Sequence, residues 1–247
     1  VSSPWVRVDS LRKVFKDRKR GMVRAVDGIS FEVHGGEIFA LLGPNGAGKT
    51  TTLRILSTIL RPTGGRAEVM GYDVVKNPQE VRKKIGYLPA EGGLYHRLTP
   101  REVVTFFGEL AGMDRKTLKD RTEQLFESIG ITDFADTKIE KLSTGMKQKV
   151  AIARTIIHDP DVLILDEPTQ GLDVPSSRIV EQFILDEREK GKAIVLSTHI
   201  MEEAEYLADR IFVIHKGREK ATGTIDQLKK TTGKNRLKEV FLSLLEA

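Results

Sequence analysis

The run Gly43-Pro44-Asn45-Gly46-Ala47-Gly48-Lys49-Thr50 constrains this chain more than any other stretch. It sits between the apolar segment Ile38-Phe39-Ala40-Leu41-Leu42 and the helix-like Thr51-Thr52-Leu53-Arg54-Ile55-Leu56. The order is strand, glycine loop, helix. Glycines allow positive φ and let backbone N–H groups approach an anion, while the following helix aims its positive end at the same point. The pattern G-x-x-x-x-G-K-[ST] therefore reads as a phosphate cradle, in which Lys49 reaches the β- and γ-phosphates and the Thr50 hydroxyl holds Mg²⁺. The alternative is a glycine-rich turn with a surface lysine, which the flanking strand and helix disfavour.

Such a unit needs a parallel sheet, and the chain has the material for one. With 247 residues, 39% of them hydrophobic, it can form one large α/β domain or two small ones. Forty Lys and Arg against 35 Asp and Glu leave +5, a mild excess that suits a nucleotide, an anionic membrane or nucleic acid without choosing among them. The absence of cysteine excludes a disulfide scaffold and a thiolate metal site, and agrees with a reducing compartment. No apolar run approaches the roughly 20 residues that span a bilayer, and no signal-peptide core is seen, so the chain by itself is expected to be soluble and cytoplasmic.

Residues 5–42 carry strand signals at Val6-Arg7-Val8, Val14-Phe15, Ile29 to Val33 and Ile38 to Leu42. Between them a basic cluster, Lys16, Arg18, Lys19, Arg20 and Arg24, reads as a solvated hairpin tip, with phosphate or lipid contact as the alternative. Phe15 is either core or an aromatic face for adenine, and the residues alone leave these even. After turn chemistry at Arg61 to Gly65, Ala67 to Tyr72 returns as a short strand. Thr99-Pro100-Arg101-Glu102 then carries a capping-box helix start. Val103, Phe106, Phe107 and Leu110 follow at helical spacing, and Leu118, Thr122, Leu125 and Ile129 continue the pattern. Both stripes read as packing, and residues 91–157 as a helical insertion with its own small apolar face.

Asp161 to Asp166 is an apolar run ending in a carboxylate and followed by Glu167-Pro168, the signature of a buried parallel strand whose end lies beside the phosphate loop. Joined to that loop it is a Walker B pattern. Residues 193–197 repeat the form and lead through Thr198 to His199, which is either an idle loop histidine or a polar group facing the nucleotide. Residues 211–224 read as two strands around Lys216-Gly217, and two short helices close the chain.

Between the insertion and Asp161 stands Leu142-Ser143-Thr144-Gly145-Met146-Lys147-Gln148, opening a helix. With it the motif set resembles the ATP-binding cassette (ABC) ATPase family along nearly the whole chain: Phe15, Gly43 to Thr50, Leu142 to Met146, Leu163 to Glu167, Gly171-Leu172-Asp173 and His199. Gly86-Tyr87-Leu88-Pro89, Gly145 to Gln148 and the tail Leu237 to Leu242 resemble the ATPase subunits of multidrug, polysaccharide or ion exporters.

The resemblance implies an α/β fold: a P-loop NTPase core with a mainly parallel sheet, an N-terminal antiparallel β subdomain and an inserted helical subdomain. One ABC ATPase domain would span 1–247, with a core of 1–90 and 158–224, helices at 91–157 and a helical tail at 225–247. It implies a Mg²⁺-dependent ATP hydrolase. Gly43, Pro44, Asn45, Gly46, Ala47, Gly48, Lys49, Thr50 and Thr51 would bind ATP, with Phe15 stacked on adenine. Thr50 and Asp166 would hold Mg²⁺. Glu167 would activate water, and His199 and Lys49 would contact the reacting phosphate. Two such domains, as homodimer or heterodimer, would close head to tail, so that Ser143 and Gly145 of each complete the other's site. A separate transmembrane permease would hold the pair on the inner face of the cell membrane, with no nucleic acid expected. The competing function is a soluble mechanical or regulatory ABC-type ATPase acting on ribosomes or DNA. Such proteins usually carry two cassettes or a long coiled-coil insertion, which these residues do not show.

Two positions depart from the family pattern. Ala90 stands where the family commonly has a metal-touching Gln, so water, Glu91 or a shifted loop would have to serve there. Thr144 replaces the first signature glycine, and a β-branched residue argues against positive φ.

Overall fold

The computed structural model describes residues 3–17, 19, 21–90 and 93–246. Arg18 and Arg20 of the basic cluster, and Glu91, lie outside the described residues. Two sheets and a helical segment share the chain. The first sheet is antiparallel: β1 (Val6–Asp17) and β2 (Gly21–Val33) form a long hairpin, and β4 (Gly64–Val69) and β5 (Tyr72–Asp73) extend it in the order β2-β1-β4-β5. Val6–Val8 and Val14–Phe15, read separately in the sequence, are one strand interrupted by register shifts. The expected strand at 67–72 is likewise a small hairpin turning at Met70-Gly71.

The second sheet runs β10 (Arg218–Gly223), β9 (Arg210–His215), β3 (Ile38–Leu42), β8 (Ala193–Thr198), β7 (Val162–Asp166), β6 (Ile85–Leu88). All its neighbours are parallel except β10 against β9. This sheet is buried on both faces, which is why β3, β7 and β8 are continuous apolar runs rather than alternating ones. Their residues divide with period two. Ile38, Ala40 and Leu42 face one core with Leu163, Leu165 and Leu196. Phe39 and Leu41 face the other, where Leu53, Ile55 and Leu56 of α1 (Lys49–Leu56) meet Val8, Ile29 and Phe31 of the antiparallel sheet. Stacked Phe31 and Phe39 rings, 4.9 Å apart, join the two sheets there.

Short α2 (Pro78–Lys84) precedes β6. The helical segment holds α3 (Pro100–Leu110), α4 (Arg115–Ile129) and α5 (Thr144–Ile156). The capping box forms as its sequence predicts, with Thr99 Oγ1 accepting from Glu102 N and Glu102 Oε2 accepting from Thr99 N. The small apolar face expected for the segment is present as a cluster of Val103, Ile139, Leu142 and Val150. Val104, Leu118, Phe126 and Ile152 join the main core, so the segment is fastened to the sheet. The stripe on α3 also needs correction: Val103 is buried, but Phe106 is 49% and Leu110 71% exposed. Val104 occupies the core-facing place, because the helix turns only one narrow side inward. The chain ends with α6 (Val174–Glu189), α7 (Met201–Leu207), α8 (Ile225–Thr232) and α9 (Leu237–Glu246). Among the described residues no helix is long and apolar enough to cross a membrane.

Candidate functional site

The carboxyl ends of the parallel strands β3, β7 and β8 meet at one point, where crossover topology leaves room for a ligand. β3 delivers Gly43. A Cβ there would collide with the Ile214 carbonyl, and one on Gly48 with the Ala25 carbonyl, so at both positions the loop lies against β9 and β2 with no space for a side chain. Gly46 and Gly48 have φ of 78° and 112°, the left-handed region that only glycine enters freely. Asn45 and Gly46 are exposed at the loop's crest, Pro44 is half-buried and Ala47 buried, its carbonyl accepting from Gly217 N at 2.8 Å. α1 begins at Lys49 with no acidic residue in its first turn, which leaves its positive end uncompensated. Thr51 lies half-buried one turn position further on.

Lys49 is 4% exposed. Its Nζ donates to the Gly43 carbonyl at 2.7 Å and the Pro44 carbonyl at 3.3 Å, and lies 3.3 Å from Glu167 Oε1. Those partners make burial of the ammonium tolerable. Two carboxylates with different surroundings stand at the end of β7, Asp166 as its last residue and Glu167 just beyond it. Asp166 Oδ1 accepts from Thr50 Oγ1 at 3.1 Å and Ser197 Oγ at 2.6 Å, while its buried Oδ2 has no hydrogen-bond partner. Glu167 takes a φ of 49°, a strained value for a side-chain-bearing residue, held by its N–H donating to the Ser197 carbonyl and hydroxyl, each at 3.1 Å. Its Oε2 lies 3.0 Å from His199 Nδ1. Neither atom has an aligned hydrogen-bond partner.

The structure thus brings Lys49, Thr50, Asp166, Glu167 and His199 together. An orphaned Asp166 oxygen beside the Thr50 hydroxyl fits a hard cation that takes oxygen ligands. Among the described residues no cluster of three or more His, Asp or Glu forms a metal cage, so a cation here would share its shell with phosphates. Phe15 is not core: it is 38% exposed, with Lys13 Nζ 5.0 Å from its ring centre. It pairs with Val23, two residues along β2 from the Ala25 that backs Gly48.

Ser143 and Gly145 lie elsewhere. Ser143 is exposed and caps α5, its Oγ accepting from Met146 N at 3.2 Å. Thr144 is the first helical residue and so has no positive φ, as its branching predicts. Gly145 allows α5 to approach α6, since a Cβ would come 2.5 Å from Ser176 Oγ. Ala90 is exposed just beyond β6, whose pairing of Leu88 with Leu165 carries the chain past Asp166. Its methyl offers no ligand there.

Two contributors escaped the sequence reading. Ser197 organises both carboxylates; its only signal was a hydroxyl at the end of an apolar run. Tyr87 is half-buried, and burial, followed by the nearby Asp166 carboxylate, pushes its phenol above the ordinary range. Its tetrapeptide had suggested only a subgroup.

A family profile described as "ABC transporter" matches residues 26–170. The chain is 42% identical to an ABC transporter ATP-binding protein, NatA, of Bacillus subtilis, covering 94% of both chains. It is 39% identical to a daunorubicin resistance ATP-binding protein, DrrA3, of Streptomyces coeruleorubidus, over 96% of this chain and 73% of that one. Its fold matches a solved dimeric ATP-binding cassette in a post-hydrolysis state with ADP and Pi at a TM-score of 0.79 and 26% identity, covering 89% of this chain and 98% of the other.

Proposed function

The chain belongs to the ABC transporter ATP-binding family, and from that premise we propose that it is the Mg²⁺-dependent ATP-hydrolysing subunit of a membrane exporter. One observation carries the chemistry: the adjacent carboxylates at the end of β7 make different contacts, Asp166 with Thr50 and Glu167 with Lys49 and His199. The loop amides and Lys49 bind the phosphates, and Phe15 lies against adenine. Mg²⁺, at Thr50 and Asp166, would supply charge neutralisation on the phosphate oxygens. Glu167 orients the attacking water and takes its proton as oxygen bonds to the γ-phosphorus and the bond to ADP breaks. His199 holds the γ-phosphate on the other side of that carboxylate.

The far wall of the nucleotide comes from a second copy or a homologous domain, whose Ser143 hydroxyl and Gly145 backbone approach head to tail. Coupling of that closure to a separate transmembrane permease makes the pair a peripheral membrane assembly. The reported relatives favour export, and favour transport over action on ribosomes or DNA.

Replacing Glu167→Gln tests the assignment. The variant should bind Mg-ATP with wild-type affinity and lose about 100-fold or more of turnover. Undiminished hydrolysis would refute Glu167 as the base. Co-purification with an integral membrane protein tests the transport reading, which recovery of ribosomes or DNA alone would contradict.

A further inference from the structure

One buried acid has no part in the chemistry above. Glu203, in the first turn of α7, is 4% exposed. Its Oε1 accepts from Thr169 Oγ1 at 2.7 Å, and the Thr198 side chain lies beside the carboxyl group, where it favours the charged form. Thr198 Oγ1 in turn accepts from Ile200 N at 2.9 Å. The residues on both sides of His199 are therefore tied to each other, and Thr198 stands against that carboxyl group. Burial pushes that group above the ordinary carboxylate range, so it is costly to keep unless its two hydroxyl neighbours hold.

Thr169, itself 6% exposed, belongs to the short loop after Glu167. That loop is closed by Gln170 N donating to the Glu167 carbonyl at 3.1 Å and Leu172 N to the Thr169 carbonyl at 3.2 Å. One residue earlier, the Pro168 carbonyl accepts from Gln148 Nε2 at 2.6 Å. Gln148 lies on α5, the helix that Ser143 opens. A continuous path thus runs from α5 through the Pro168-Thr169 segment and Glu203 to the backbone around His199.

We propose that Gln148, Thr169 and Glu203 are positioning residues, an internal tether through which the placement of α5 sets where His199 stands beside Glu167. The proposal rests on the ATPase reading. Its physical content is that α5 carries the surface offered to a second copy, whereas His199 serves the chain's own nucleotide. The two side-chain bonds on this path are short, part-buried at Gln148 and fully buried at Glu203, so displacement at one end is transmitted more than it is absorbed by water. The tether makes a chain's own hydrolysis sensitive to engagement of its α5.

Steady-state ATPase kinetics on Thr169→Val, Gln148→Leu, Glu203→Gln and the Thr169→Val/Gln148→Leu double variant test this, with thermal melting recorded alongside. Thr169→Val preserves shape and removes the hydroxyl. It should lower kcat about tenfold with the KM for ATP within about twofold, a displacement effect on the reacting geometry. Gln148→Leu should do the same. Because the two bonds act in series, the double variant should fall no more than about twofold below the worse single. Glu203→Gln, which can still accept from one hydroxyl and donate to the other, should keep at least about a third of wild-type kcat. A merely structural role would move the melting temperature and leave kcat of the folded protein alone. Wild-type kcat in Thr169→Val, a loss confined to KM, multiplicative losses in the double variant, or a Glu203→Gln loss as large as that of Thr169→Val would each overturn the tether. If the wild-type chain hydrolyses no ATP, the ATPase reading fails and the tether with it; any of the other results in an active wild type removes the tether alone.

Discussion

The phosphate-loop wall and the amino end of α5 are both helix starts preceded by small residues, yet they are built in opposite ways. At the first, Lys49, Thr50, Asp166, Ser197, Glu167 and His199 converge through short, buried contacts. At the second, Ser143 is exposed and its hydroxyl is committed to its own helix by the bond from Met146 N. Among the described residues no hydrogen bond or ion pair joins Ser143 to the catalytic cluster. A polar helix start that touches none of its own chain's phosphate-binding residues makes chemical sense if its ligand arrives with another chain. On the proposed reading, the contrast separates binding within one chain from hydrolysis completed by two.

Breaking the buried wall should have the largest effect. Lys49→Ala removes the charge that reaches the phosphates and leaves Glu167 without its ammonium partner. ATP affinity and turnover should both fall about 100-fold or more, read by nucleotide titration and phosphate release. Ser143→Arg, at the exposed end, should sharpen the comparison. ATP binding by the single chain should stay within about threefold, while hydrolysis falls roughly 100-fold because the second copy can no longer close. Equal losses of binding and hydrolysis would erase the distinction between the two regions.

Ala90→Gln should act more mildly, returning an oxygen ligand to the chain segment that passes Asp166. We expect binding to survive and turnover, or its Mg²⁺ dependence, to shift by a few fold in a magnesium-titrated ATPase assay. No change would show that this position does not matter. The smallest effect concerns stability. Burial lowers the pKa of His158, even though the hydrogen bond to the Ile85 carbonyl at 3.0 Å opposes the shift. A histidine with a lowered folded pKa keeps its contribution above the ordinary value near 6.5 and loses it as pH falls, because the unfolded chain takes up the proton first. Melting temperature should therefore drop more between neutral pH and mildly acidic pH in the wild type than in His158→Gln.

How far these features could be read from residues alone follows from how local they are. The phosphate loop, the apolar strand ending in Asp166-Glu167 and the Thr99 capping box are set by neighbours in sequence, and each forms as expected. Phe15 was undecidable because period-two alternation does not say whether a strand face is covered; its exposure removes the core reading. Phe106 and Leu110 misled for the same reason on a helix, where spacing marks a stripe but not its cover. Ser197 and Glu203 act across 31 and 34 residues of sequence, and no spacing rule connects either to its partner. The pairing of Ser143 with a second copy is beyond any single chain's contacts, and rests on the family resemblance.

The most direct test of the two-chain account is the solution mass of Glu167→Gln measured by light scattering with and without Mg-ATP, alone and combined with Ser143→Arg. The account predicts one chain without nucleotide, about twice that mass with it, and a return to one chain in the combined variant despite retained ATP binding. An ATP-saturated Glu167→Gln that stays a single chain, or a combined variant that doubles its mass as readily, would contradict it.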